Sequence, residues 1–495
     1  MSNIRKQAII SSLLVYVGVL VGAINTYFFV KEGSFTPEQY GLTRLFFDVA
    51  QNFFAWASLG VIPVIFKFYP YYKDHLPHRK IDLLTWALSI AFVGFIIVIA
   101  GALIFEPVVV RKFSRGSALF VEYYHWVFVF AFGMLFFSVV EGYSWALQKS
   151  VVSNFLKETL LRIFTTLFIV LYLFNIIDFD IFIKLFSFLF IIVLVVLVIH
   201  LASIKKLPIT FSISKVTRRF YKKMFGMQSL VFSGICIMTL GQTIDSIMIA
   251  GVQGLTQTGI YSLAQFAANI VQIPQRSIQS VSTGVLAQHW KAKNYAEIGR
   301  IYERSCINLL LIALVIFGNL WLNIDAVFTV MNIQQEYAVG IQVIFVLGVA
   351  RIIDAGTGVN GPVIGTSTFW RFDFFTGVIM LAVRLPLAYL MLRAYGMTGM
   401  AFSELISMAS YNFVRFEFLR RKFKMQPFNM NTVLALVVTG MAFAIAYFLL
   451  QNVGGWTGIF SRSILFSLLV IGGVFGFKIT PDAHQLLDKL KQRFR

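Results

Sequence analysis

Polar residues recur at helical spacing inside two long apolar runs of this 495-residue chain. The first run carries Arg44, Asp48, Gln51 and Ser58; the second carries Gln265, Asn269, Gln272 and Gln279, each 221 residues further on, with Arg276 filling one more turn. Spacings of i, i+4, i+7 and i+14 keep such side chains on one face of an α-helix. In lipid a polar face must point at protein or at a water-filled cavity. Two related helices, one per half of the chain, are therefore expected to face a central space, as in proteins built from internal membrane repeats.

The background is a succession of apolar runs, each long enough to cross a hydrocarbon core of about 30 Å. About fourteen spans are predicted, near 8–30, 41–66, 82–105, 123–147, 154–175, 181–202, 227–250, 259–282, 304–323, 339–362, 374–393, 398–418, 431–451 and 461–478. Hydrophobic residues are 58% and charged ones 13% of the chain, against about a quarter charged in a soluble protein. The expected fold is an all-α polytopic membrane protein with two pseudo-symmetric six-helix lobes and two added helices. The expected domains are an N-terminal lobe at 1–202, a basic linker at 203–226, a C-terminal lobe at 227–419, and a tail unit at 420–495 with two helices and a basic end. Six spans per lobe give both halves the same orientation, so the pseudo-twofold axis should follow the membrane normal.

The net charge of +20 changes the picture through its placement. With an inside N-terminus and alternating spans, 30 of the 42 Lys and Arg fall in inner segments and 6 in outer ones. That is the positive-inside bias, and it predicts cytoplasmic termini in an inner membrane. Membrane lipid headgroups account for most of the basic charge, and no nucleic-acid partner is expected. Six remaining cations lie within spans, and all are arginine: Arg44, Arg162, Arg276, Arg351, Arg384 and Arg462. Arg44 and Arg462 sit near span ends, where snorkelling accounts for them. The deeper ones need a counter-charge, water or a ligand, and a guanidinium fork suits phosphate.

Two readings of these arginines stay open. Arg351 with Asp354, and Arg44 with Asp48, have the spacing of closed helical ion pairs. Arg276 and Arg384 have no acid three or four residues away, so a cavity role is expected for them. The candidate substrate-binding set is Arg44, Asp48, Gln265, Asn269, Gln272, Arg276, Arg351 and Arg384. Asp245, Asp354 and Glu404 are the candidates for ion coupling.

Several segments resemble a known family. Phe35-Thr-Pro-Glu-Gln-Tyr-Gly-Leu42, Asp245-Ser-Ile-Met-Ile-Ala250 followed by Gly259-Ile-Tyr-Ser-Leu-Ala264, and Ala394-Tyr-Gly-Met-Thr-Gly-Met-Ala-Phe402 resemble bacterial polysaccharide flippases. These are the O-antigen/Wzx-type members of the multidrug/oligosaccharidyl-lipid/polysaccharide exporter superfamily. The resemblance runs over about residues 5–425. It implies a MATE-like fold that moves a polyprenyl-pyrophosphate-linked oligosaccharide across the inner membrane by alternating access. It also implies a polysaccharide polymerase and glycosyltransferases as pathway partners. Where the family often has Asn in span 11, this chain has Arg384.

Two rivals are a cation-coupled multidrug exporter on the same fold and a membrane glycosyltransferase or polymerase. The first wants cavity acids; the second would use Asp178-Phe-Asp180, a pattern that can hold a metal and a sugar phosphate. That pattern lies in a loop of a few residues and reads as polar cover. The six His show no paired metal-ligand spacing, and no phosphate-binding glycine loop with Lys-Ser/Thr occurs. No metal, cofactor or catalytic residue is expected. Cys236 and Cys306 read as packing residues.

Overall fold

In a computed structural model, which describes residues 3–482, every regular element is a helix. The longer helices are numbered here in chain order. The chain forms two compact units, Met1–Gly259 and Ile260–Arg495.

The first unit contains α1 (Asn3–Val30), α2 (Pro37–Ala57), α3 (Val61–His75), α4 (Leu83–Ile104), α5 (Trp126–Ala146), α6 (Leu161–Leu173), α7 (Leu189–Ser203) and α8 (Lys215–Val252). Helix α2 starts where Thr36 and Gln39 form a reciprocal capping box around Pro37, a pairing that satisfies two orphan N–H groups. It stops at Ser58, because Leu59 and Gly60 take positive φ values of 45° and 75°. A side chain at Gly60 would lie 2.8 Å from the Gln228 carbonyl of α8, so glycine permits both the turn and the close approach. The chain resumes as α3 with a 48° bend. Helix α2 packs against α4, α5 and α8 and forms the centre of this unit.

The second unit contains α9, which begins in the first unit (Leu255–Asn269), then α10 (Ile273–Lys291), α11 (Tyr295–Leu322), α12 (Ile341–Gly356), α13 (Asn360–Gly365), α14 (Trp370–Phe423), α15 (Met430–Leu450) and α16 (Gly455–Gly476). Helix α12 packs between α11 and α14. Helix α14 is two arms joined at Gly396, whose φ of 63° and ψ of −151° break the helix. Arg415 on the second arm holds Asp373 on the first through two bonds of 2.7 and 3.1 Å. The last pair, α15 and α16, docks on α11 through Phe466, Ala435 and Ala442.

Nine helices among the described residues are long and apolar enough to cross a membrane, and the bent α2–α3 pair makes a tenth. Every predicted span falls on helix; those at 374–393 and 398–418 lie within α14. Large apolar side chains such as Ile97, Leu230, Leu390 and Phe448 stay exposed, which in lipid is burial rather than a penalty. The compact units divide at 259/260, and α8 packs on α2 and α3. The second half of the predicted linker is the start of α8, continuous with the predicted span that follows.

Candidate functional site

The second unit gathers polar groups where two of its helices break. Helix α9 ends at Asn269, a 3₁₀ turn covers Ile270–Gln272, and α10 starts with Pro274 in its first turn. Proline lacks an N–H and fits that position. Helix α12 ends at Gly356; Gly358, at φ 64°, turns the chain into α13. A side chain at Gly358 would lie 2.5 Å from Ser305 Oγ and 2.9 Å from the Cys306 N, so only glycine fits here. Broken helices free backbone groups and admit polar partners.

Against these breaks α14 places Glu404, Arg384 and Asn412. Arg351 Nη2 donates to Glu404 Oε1 at 2.6 Å, and Arg351 Nε donates to Asn269 Oδ1 at 3.1 Å. Arg384 Nη2 lies 3.7 Å from Glu404 Oε2, and the Tyr261 hydroxyl donates to the same oxygen at 3.4 Å. The Arg351 and Glu404 side chains are 8% and 9% exposed. A second group surrounds Asp354. Gln272 Nε2 and Asn412 Nδ2 donate to its two carboxylate oxygens at 3.1 and 2.9 Å. Thr357 and Asn360 in turn donate to Asn412 Oδ1, each at 2.9 Å.

Helical spacing left Arg351 and Asp354 open as a closed pair, and the structure overturns that. Arg351 pairs across the unit with Glu404, and Asp354 is held by amides. An i,i+3 pair is worth only tenths of a kcal/mol. A desolvated, charge-assisted contact to a second helix is stronger and shorter. The acid absent beside Arg384 in sequence is Glu404, twenty residues on. From the second polar stripe, Asn269 reaches Arg351 and Gln272 reaches Asp354; Gln265 is half-buried. Arg276 is exposed and has no hydrogen-bond or ion-pair partner among the described residues.

The first polar stripe divides between two neighbours. Asp48 is half-buried, with Ser246 of α8 and Arg44 as polar neighbours. Asn52 Nδ2 donates to Thr243 Oγ1 at 2.6 Å, while Asp245 is buried nearby on α8. Gln51 instead lines a cavity of about 250 Å³ with Phe47, Ser138, Glu141, Trp145 and Lys157. Ser58 is buried in the turn before α3, donating to the Ala55 carbonyl. Arg44 is exposed, with no hydrogen bond among the described residues.

Sequence reasoning missed the pairing of Glu141 with Lys157, at 3.0 Å. Lys157 sits in a π-helical segment, Phe155–Leu160, ahead of α6. A π-turn shifts side-chain phase by an extra residue, so a period of 3.6 does not point Lys157 inward. Arg162 pairs with Glu158 one turn back at 3.2 Å, and Arg462 donates to the Gly458 carbonyl at 3.1 Å. Asn412 carried no sequence signal either: one amide in a long helix looks like any other polar position.

The D-x-D pattern has structural duties. Asp178 caps a short helix by accepting from the Ile181 N–H at 2.8 Å, and Asp180 pairs with Lys184 at 2.5 Å. Cys306 is buried beside Gly358, and Cys236 is half-buried near the Ala55 carbonyl.

No family profile and no curated protein matches this chain in sequence. Among solved structures it is similar to the lipid II flippase MurJ in an inward closed conformation. The TM-score is 0.72 at 12% identity, covering 95% of this chain and 98% of that one. It is also similar to an inward-facing multidrug resistance MATE family transporter of the MOP superfamily, with TM-score 0.65, 16% identity, and coverage of 84% and 98%. An outward-facing form of a MATE family transporter gives 0.57 at 14% identity, over 85% and 96%. The chain therefore shares the fold of these solved structures.

Proposed function

We propose that this protein is a flippase that moves a polyprenyl-pyrophosphate-linked oligosaccharide across the bacterial inner membrane by alternating access. The observation that carries the reading is the state of the in-span arginines. Arg162, Arg351, Arg384 and Arg462 are engaged by protein groups. Arg44 and Arg276, one on each polar stripe, are exposed and keep their forks for a ligand. A guanidinium deep in a span, as Arg276 is, needs such a partner; Arg44 lies nearer a span end, and pyrophosphate offers either fork bidentate, charge-assisted bonds. The likeness to a lipid II flippase over nearly the whole chain supports the same class of substrate.

In this reading the polar stripes, including Gln265, Asn269 and Gln272, bind the headgroup side of the substrate, while the polyprenyl tail stays in lipid. The repeat at 221 residues supports two related six-helix halves, with α15 and α16 as the added pair. The charge bias supports cytoplasmic termini. A polysaccharide polymerase and glycosyltransferases would act before and after this step.

Arg44→Ala and Arg276→Ala are expected to weaken substrate capture by about one to two decades each, at about 1.5–3 kcal/mol per charge-assisted contact. Both side chains are exposed, so thermal stability and membrane abundance should stay at parent values. Lysine at either position should restore export only in part, because it keeps the charge without the fork. Export of the lipid-linked glycan in a complementation assay provides the readout. Full complementation by both alanine variants would refute the assignment.

One observation favours the cation-coupled reading. Among the described residues, the Asp354 carboxylate has amide donors and no Lys or Arg within 4.0 Å, an arrangement that can take a proton or a monovalent cation. Asp245 and Glu404 are the other acids such coupling would use. Drug efflux lost in Asp354→Asn, with glycan export intact, would establish that rival.

A further inference from the structure

The segment between α7 and α8 is exposed and doubly unusual. Ile209, Phe211 and Ile213 are 60%, 86% and 62% exposed. They alternate with Thr210 and Ser212 along a stretch without regular secondary structure that bends at Ser212. Lys205, Lys206, Lys215, Arg218, Arg219, Lys222 and Lys223 flank them in sequence, all exposed, and residues 203–226 contain no acid.

The base of the segment is pinned. Asp82 Oδ2 accepts from the Ser214 N–H at 2.9 Å and from Thr217 Oγ1 at 2.7 Å. The Thr210 N–H donates to Thr85 Oγ1 at 3.1 Å. Tyr72 bonds the Thr217 hydroxyl at 2.7 Å. Phe211 and Ile213 also edge a cavity of about 450 Å³ with Trp86 and Tyr221, and remain largely exposed above it.

Depth follows from length. Helix α8 has 38 residues, about 57 Å at 1.5 Å per residue, while a span needs about 20. Its first three turns, where five of the cations lie, therefore extend beyond the hydrocarbon core into the headgroup layer. Val216, Thr217 and Met224 are buried against the unit while the cations and Tyr221 face outward.

We propose that residues 205–223 form an anionic-phospholipid anchor: Ile209, Phe211 and Ile213 insert at the acyl boundary while the flanking Lys and Arg bind headgroup phosphates. Apolar tips flanked by cations fit an anionic leaflet, since each part supplies an attraction that the other lacks. A soluble acidic partner would leave the three apolar side chains in water.

The test uses the full chain in nanodiscs, with Cys236→Ser and Cys306→Ala and a bimane probe on Ile213→Cys. Discs of phosphatidylcholine are compared with discs that also contain phosphatidylglycerol. With phosphatidylglycerol, the emission should shift to the blue and be quenched by lipids bearing a shallow nitroxide. Replacing Lys215, Arg218, Arg219, Lys222 and Lys223 by Glu should move the inserted-to-exposed ratio about tenfold or more toward water. High salt on the parent protein should act in the same direction, which covers the case of a charge-reversed chain that fails to fold. Phe211→Ser should reduce insertion while leaving the salt dependence. A water-like probe in both discs overturns the proposal. So does insertion that ignores phosphatidylglycerol and salt, or a probe already shielded in detergent without lipid. None of these readings depends on glycan export, so the anchor and the proposed flippase activity fail separately.

Discussion

Glu404→Ala is expected to be among the most damaging single changes in this protein. It removes the carboxylate that Arg351 reaches at 2.6 Å and Arg384 approaches at 3.7 Å. Taking one partner from a buried ion pair costs about 3–5 kcal/mol, because the remaining charge stays buried without compensation. Here two guanidinium groups share the loss. With total stability of about 5–15 kcal/mol for a typical domain, the variant should lose much of its folded population and abundance. Glu404→Gln should fall between, since an amide still accepts a bond from Arg351 but balances no charge. Thermal unfolding in detergent, followed by gel filtration of the tagged protein, measures this. An alanine variant that melts with the parent would show that the network is hydrated and loosely held. The contrast with Arg276→Ala is diagnostic, because an exposed change away from packed features should stay within about 0.5 kcal/mol.

Gly18→Val is the second large effect. Helix α1 crosses the π-helical segment so closely that a side-chain carbon at Gly18 would lie 2.0 Å from the Glu158 carbonyl oxygen and 3.2 Å from Arg162 Nη1. Backbone cannot swing aside as a side chain can, so α1 must move away or the π-turn must rewind. Overpacking of this kind costs about 1–3 kcal/mol and occasionally more. Rewinding would carry Lys157 off Glu141, leaving a buried carboxylate without its cation. The expected result is a lower melting temperature together with lost export, and Gly18→Ala should give a smaller loss of the same kind. Parent-like melting and export in the valine variant would mean that the helices separate at no cost.

The reach of sequence reasoning differs sharply between elements. Span positions followed from the apolar runs because a bilayer demands about 20 apolar residues per crossing, and α4, α5, α15 and α16 lie within a few residues of expectation. The bend at Leu59–Gly60 inside one predicted span was not legible, because it depends on the φ of two residues rather than on composition. The break at Gly396 does fall between the two predicted spans 374–393 and 398–418. The polar stripes were legible as stripes, and Asn269 and Gln272 do engage charged groups of their unit. The network around them was not, since their partners Arg351 and Asp354 lie 82 residues away in sequence and are met in turn by Glu404 and Asn412, 53 and 58 residues further on.

The amino-acid sequence by itself determined that this chain lives in a membrane, where its helices run, and which few ionisable groups are forced into lipid. Those are one-dimensional consequences of hydrophobicity, charge and the 3.6-residue period. Only the tertiary structure decided which arginines are spent on protein and which remain available. Spacing named Asp354 as a local partner for Arg351, and packing delivered Glu404 instead. A charge buried in low dielectric takes the partner that best replaces water, and which partner is within reach is settled by helices meeting in space.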